Sequence, residues 1–337
     1  MKVVSLFSGC GGGDLGLLGG FNYIDSYYEK LPFSIELAVD NDTKALNTYN
    51  ENFNSKHIVN KDIRNLKTED LPNDYDILLG GFPCQSFSTV NPTKDPFDER
   101  GVLYKEMLRL LKSTQPKFFI AENVKGFMTL KKGSVFKRFC RELKECGYNI
   151  SYQLVNAADY GVPQKRERVF IIGVRNDLNM IYEFPDTTHS NNNKHKQPWV
   201  ALNRVIDSLV PEDPKYYFSK RAVEGMKNAK KNMKRGLWQD LNGPCLTITS
   251  HLAKVSLNSR DPVLLVKPEE ELYRRFTPRE AARIQSFPDT FNFIGSQGDA
   301  YRQIGNAIAP VVMWHLAKAL LEQFNNLQQN LKSNFVH

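Results

Sequence analysis

Cysteine is scarce in this 337-residue chain: the five present, Cys10, Cys84, Cys140, Cys146 and Cys245, form no CxxC pair and no Cys/His cluster. So odd and scattered a set argues against a disulfide-stapled module and against a zinc site. It predicts free thiols, no bound metal and a reducing, cytoplasmic setting. No apolar run approaches the ~20 residues of a membrane span, so no membrane partner is expected. The opening MKVVSLFSGCGG has one short apolar run that breaks into glycine, unlike a secretory signal. Internal repeats are lacking too, which excludes a repeat architecture.

What is present is an ordinary globular composition, 41% hydrophobic and 24% charged, with length for about two domains. Forty-five Lys and Arg oppose 37 Asp and Glu, a formal charge of +8 that suits a polyanionic partner without identifying one. Six short apolar segments read as strands: Val3 to Phe7, Ile35 to Val39, Asp76 to Leu79, Phe118 to Ala121, Ile150 to Val155 and Val169 to Val174. Helical spacing at Thr43 to Phe53, Leu103 to Lys112 and Ser134 to Cys146 alternates with them, which predicts a parallel, doubly wound sheet.

That alternation lapses in the polar stretch Asp186 to Gln197, read as a linker at a domain boundary. Beyond it, Lys215 to Arg235 carries eight basic residues against one Glu, either a phosphate-facing helix or a solvated lysine face. Leu246 to Ile248 and Pro262 to Val266 read as short strands. Thr277 to Ser286 reads as a helix capped by Thr277, and Val311 to Leu331 as a helix with one apolar stripe.

Three places carry candidate chemistry. The first strand runs into Ser8-Gly9-Cys10-Gly11-Gly12-Gly13, where a glycine turn between strand and helix fits NAD, FAD or S-adenosylmethionine, and Asp40 ends the next strand in reach of a ribose. Cys84 lies in Gly-Phe-Pro-Cys-Gln-Ser at the carboxyl edge of a later strand, a place for a nucleophile, since Pro, Gln and Ser are poor core material. Glu122 in ENV, and Arg166 and Arg168 in QKRER, flank neighbouring strands, so the three sites can converge on one cleft.

Taken in order, FSGCGG, Asp40, KDI, GFPCQSFS, ENV, QKRERVFIIG, RRFTPREAARIQSFPD and QIGNAIAP resemble the cytosine-5 DNA methyltransferase family, its bacterial modification enzymes especially. The resemblance covers residues 3–174 and 273–310. It implies an α/β fold, with a Rossmann-like S-adenosylmethionine-dependent sheet and a second, smaller target-recognition domain. The catalytic domain would comprise residues 1–180 and 273–337, with recognition in 181–272. A monomer acting on double-stranded DNA, with a cognate restriction endonuclease acting separately, is the expected arrangement.

The resemblance also implies roles that make chemical sense. Cytosine C5 is a poor nucleophile, so Cys84 would first add to C6, while Glu122 donates a proton at N3. Arg168 would bind the cytosine O2 and Arg166 would support Cys84 and its loop. Because C6 lies inside the base stack, the target must flip into the pocket, with Ser86 to Arg100 as a closing loop. For S-adenosylmethionine, Phe7 would contact the adenine side, Gly9, Gly11 and Gly12 give close backbone approach, Asp40 holds the ribose, Asp62 the adenine amino group, and Asn306 returns from the far end. Gln85, Ser86, Thr247, Lys230 and Lys231 are the expected DNA contacts. Asp40 stands where the family commonly has Glu, and Asn41 where it can have a stacking aromatic. Rival readings are a tRNA cytosine methyltransferase, an NAD-dependent oxidoreductase, which leaves PCQ, ENV and QxRxR unused, and a catalytically dead DNA-binding module.

Overall fold

A computed structural model describes residues 1–53, 57–83, 103–207, 213–228, 238–254 and 262–334. Seven strands form the central sheet: β1 (Lys2–Leu6), β2 (Ser34–Asp40), β3 (Ile58–Asn60), β4 (Ile77–Gly80), β5 (Phe118–Val124), β6 (Tyr148–Asn156) and β7 (Glu167–Arg175). Their order across the sheet is β3-β2-β1-β4-β5-β7-β6. Neighbours from β3 to β5 pair in parallel, whereas β7 runs antiparallel to both β5 and β6. The expectation of a wholly parallel sheet is therefore corrected at β7. Only ten residues separate β6 from β7, including a 3-10 turn at Ala157–Tyr160, too little for a crossover helix, so the chain folds straight back.

Alternation of side chains along these strands splits the core into two layers. Val3, Ile77, Ile120, Phe170 and Ile172 face one side, with Leu17 of α1 (Gly12–Leu18) and with Met313, Leu316 and Leu320 of the carboxyl-terminal helix (Pro310–Asn334). Val4, Leu78, Phe119 and Ile171 face the other. They meet Met107 and Leu111 of helix Leu103–Thr114 and Phe136, Phe139 and Leu143 of helix Ser134–Glu145. The helical run Gln297–Asn330 is long and apolar enough to cross a membrane, but 67% of its apolar window is buried inside the protein, as in a core helix.

A third core joins Cys10 of the glycine turn to Leu202, Val205, Cys245, Ile248 and Leu252 of the middle segment. It also takes in Ile284, Phe287, Tyr301 and Ile304 near the end of the chain. The middle segment adds a small cluster of its own, Val223, Val263 and Tyr273. Its elements are short: helix Lys220–Asn228, strand Cys245–Leu246, and a hairpin of Leu264–Lys267 with Leu272–Arg274. The expected strand Leu246 to Ile248 is thus displaced toward Cys245, which pairs with Gln164. The polar stretch is not a bare linker, since His189–Ser190 pairs with Gln197–Pro198 and Thr188 N donates to the Asp159 carbonyl. Helix Gln297–Asn306, capped by Ser296 and Asp299, was not foreseen, because its apolar spacing is interrupted by glycine and polar residues.

Gly16 of α1 is where the two ends of the chain meet. A Cβ there would lie 2.2 Å from the Pro310 carbonyl oxygen, a backbone atom that cannot swing away. Gly16→Ala is expected to force α1 off the carboxyl-terminal helix and to destabilise the protein by about 1–3 kcal/mol, as overpacking does. A urea midpoint equal to that of the unsubstituted protein would contradict this close packing.

Candidate active site

Beyond β1 the backbone turns sharply, with positive φ at Phe7 (53°), Gly9 (55°) and Gly11 (91°). Phe7 is costly in that region, so the turn is held from outside. Ser8 N donates to the Val39 carbonyl at 3.1 Å, and Gly9 N donates to Asp40 Oδ2 at 2.8 Å. Asp40 Oδ1 accepts from Asp42 N at 2.8 Å. Burial pushes the Asp40 carboxyl above its ordinary value, against the backbone N–H groups of Asp42 and Gly9. Part of the acid's capacity is therefore spent on shaping the turn.

The three glycines assigned to ligand approach divide. A Cβ on Gly9 would meet nothing within 4 Å, so this position opens to a ligand. At Gly11 it would strike the Phe53 ring at 2.2 Å, and at Gly12 the Ile308 carbonyl at 2.6 Å. Those two are glycine because the protein itself packs there.

A cleft of about 660 Å³ opens above these turns, in the range of small-molecule sites. Its wall brings together Phe7, Gly9, Gly12, Asp40, Glu122, Arg166, Arg168 and Asn306. Pro83 reaches the same wall, while Cys84, Gln85, Ser86, Lys230 and Lys231 lie outside the described residues. Gly11, Asp62 and Thr247 are not in the wall. Asp62 caps the turn Ile63–Asn65, and its carboxylate accepts from Arg64 Nε at 3.0 Å and Nη2 at 2.6 Å, which holds it below the usual carboxylate range. Contact with an adenine amino group would have to share that fork. Thr247 Oγ1 donates to the Lys165 carbonyl at 2.8 Å, so it stands next to Arg166 in space. Ser8 Oγ, Asp14 Oδ1 and Gln303 Oε1 are buried and have no hydrogen-bond partner among the described residues, and all three residues line the cleft. A polar ligand with donors and acceptors fits such a wall.

The antiparallel run of β7 decides the catalytic geometry. Residues before a parallel strand lie at the opposite edge from residues that end one. Reversal of β7 instead sets its start beside the end of β5, with Arg168 opposite Val124 and Phe170 opposite Glu122. Arg168 Nε then reaches Glu122 Oε1 at 3.0 Å. Burial pushes the Glu122 carboxyl above its ordinary value, outweighing the arginines 168 and 166. A carboxyl shifted upward keeps its proton to a higher pH than an exposed one.

Arg166 sits in the same wall. It is 3% exposed, and its guanidinium donates to the carbonyls of Ile248 (3.1 Å), Gly305 (2.9 Å) and Ala307 (3.0 Å). Burial depresses its pKa first, then Arg168, with Glu122 opposing. Among the described residues it braces the middle segment and the Asn306 loop. Support for the turn before Cys84 comes from Asn123, whose Nδ2 donates to the Phe82 carbonyl at 3.0 Å. Asn123 was quoted in ENV without a role, and its place beside the acid was the available signal.

Asp14 was also passed over, although a carboxylate inside a glycine turn is unusual. It is 1% exposed, and Ser5 Oγ donates to its Oδ2 at 3.0 Å. Burial pushes its pKa up to about 6. A raised folded pKa favours the fold below the unfolded value near 4, and the contribution is lost as pH rises through about 6. Asp14→Asn should thus gain stability relative to the unsubstituted protein between pH 4 and 7, by up to roughly 3 kcal/mol. Urea unfolding at both pH values measures it, and a pH-independent difference would contradict the shift.

Comparison with known proteins agrees with this geometry. The family described as C-5 cytosine-specific DNA methylase matches residues 1–322. The Type II methyltransferase M.NgoPII of Neisseria gonorrhoeae is 35% identical over 340 residues, covering 95% of each chain. M.FnuDI of Fusobacterium nucleatum, also a Type II methyltransferase, is 34% identical over 352 residues, 98% of this chain and 96% of its own. In fold, the S. pombe Dnmt2 methyltransferase superposes with a TM-score of 0.74 at 21% identity, covering 96% of this chain and 99% of that one. With matches of this extent, the chain belongs to the C-5 cytosine-specific DNA methylase family.

Proposed function

We propose that this DNA (cytosine-5-)-methyltransferase modifies a flipped-out cytosine within a specific duplex sequence, through a covalent bond from Cys84 to C6. Its relatives are named Type II methyltransferases, which favours DNA over tRNA and a role as the modification enzyme of a restriction-modification system. The observation that carries the mechanism is Glu122, buried beside Arg168 with its carboxyl pushed upward, in the wall that Pro83 also reaches.

Attack of the Cys84 thiolate on C6 pushes electrons toward N3 and O2. Glu122 protonates N3, and Arg168 offers its guanidinium to O2, so charge is neutralised where it develops. C5 thereby becomes nucleophilic. S-adenosylmethionine, when bound, supplies an electrophilic methyl group to it. Loss of the C5 proton to a base then expels the Cys84 thiolate, N3 returns its proton to Glu122, and the aromatic ring is restored. Phe7, Gly9, Asp40 and Asn306 would hold the methyl donor in the cleft, the unpartnered Ser8 and Gln303 oxygens accepting its donors. Segment 181–272 is proposed as the recognition unit, with Thr247 beside the flipped base and Lys230 and Lys231 on phosphate. Restriction by a separate endonuclease and action as a monomer complete the proposal.

Methyl transfer to duplex DNA, followed by bisulfite sequencing, tests the reading and reports the target context together. Cys84→Ser is expected to abolish product while the protein stays folded. Glu122→Gln should lower kcat by roughly 10²–10⁴-fold, since an amide cannot supply the proton. Because Glu122 is raised, the rate of the unsubstituted enzyme should fall as pH climbs through that raised value. Equal turnover by either variant, or methylated tRNA with blank DNA, would overturn the proposal.

A further inference from the structure

Two glutamines from the motifs QKRER and RIQSFPD have no part in the chemistry above, yet both are wholly buried, at 0% exposure. They form a one-way chain of amide hydrogen bonds. Ile248 N donates to Gln164 Oε1 at 2.9 Å, Gln164 Nε2 donates to Gln285 Oε1 at 2.7 Å, and Gln285 Nε2 donates to the Ala307 carbonyl at 2.6 Å. Gln164 Nε2 also donates to the Ile284 carbonyl at 3.2 Å. Arg166 closes the circuit, because its guanidinium bonds the carbonyls of the same Ile248 and Ala307. The chain thus grips Ile248, next to Thr247, at one end and Ala307, next to Asn306, at the other.

We infer that Gln164 is a positioning residue that locks the stretch Thr247–Ile248, which packs beside Arg166, to the cofactor-side edge of the cleft, Asn306–Ala307. The inference rests on the methyltransferase reading of the cleft. Only an amide can accept at one end of its side chain and donate twice at the other in this geometry. A carboxylate keeps the acceptor and loses both donors, leaving the Ile284 carbonyl unpaired and setting two acceptor oxygens against each other. A protonated carboxyl restores one donor.

Gln164→Glu and Gln285→Ala test this, with duplex DNA and S-adenosylmethionine as the probes. For Gln164→Glu at pH 8 the expected result is a fall in kcat of about 10- to 100-fold, one to two lost buried hydrogen bonds. A rise in KM for both DNA and S-adenosylmethionine should accompany it. Activity relative to the unsubstituted enzyme at the same pH should recover at least several-fold as pH falls toward 6. If Gln164→Glu fails to fold, Gln285→Ala, which cuts the chain at Ala307, must raise the KM for S-adenosylmethionine and lower kcat on DNA together. Folded variants with unchanged kcat and KM overturn the inference. So does a loss of thermal stability alone, or a KM rise for one substrate only. The unsubstituted enzyme in the same assay keeps the two readings apart: if it methylates no DNA the functional proposal fails, whereas if it does and the variants match it only the role of Gln164 fails.

Discussion

A buried guanidinium with three backbone carbonyls around it is the constraint on which the rest of the site depends. Arg166 cannot shed its proton, so its burial is tolerable only while Ile248, Gly305 and Ala307 all present oxygen to it. Those carbonyls belong to stretches 57 or more residues apart, and 82 or more from Arg166. The two terminal nitrogens of one guanidinium therefore tie the Ile248 stretch of the middle segment, the junction of the last two helices and the start of β7 together. The third core, running from Cys10 to Ile304, packs beneath the same junction.

From that junction the cleft follows. The antiparallel β7 delivers Arg166 and Arg168 to the edge where β1, β2, β4 and β5 end, so acid, guanidinium and glycine turn face one space. The chain's far end seals the turn from behind through the Ile308 carbonyl against Gly12 and the Pro310 carbonyl against Gly16. Burial and charge oppose each other at Glu122: burial raises its carboxyl, Arg168 beside it at 3.0 Å lowers it, and burial is the larger effect.

The sequence carried the strands and the motif-bearing residues of this arrangement well, because apolar alternation and dense motifs are local signals. Helix Thr43–Phe53 is found with the bounds its periodicity predicts. Strand direction is not a local property, so β7 was read as parallel, and convergence of QKRER with ENV was expected without the reversal that produces it. The fate of Arg166, the split between Gly9 and its two neighbours, and the Asp62–Arg64 fork depend on partners distant in sequence or on side-chain rotamers, and no spacing rule reports those. Gln164 and Gln285 were visible as letters of two motifs, but their contact spans 121 positions.

The central claim is a covalent route through Cys84, with the ring made nucleophilic by addition at C6. Duplex DNA bearing 5-fluorocytosine at the target position tests it most directly, because fluorine at C5 cannot leave as a proton and the final elimination is blocked. With S-adenosylmethionine present, mass spectrometry should find protein and DNA joined one to one, with the attached peptide containing Cys84. Attachment through Cys10, Cys140, Cys146 or Cys245, or steady methylation of ordinary DNA with no trapped adduct, would contradict the account.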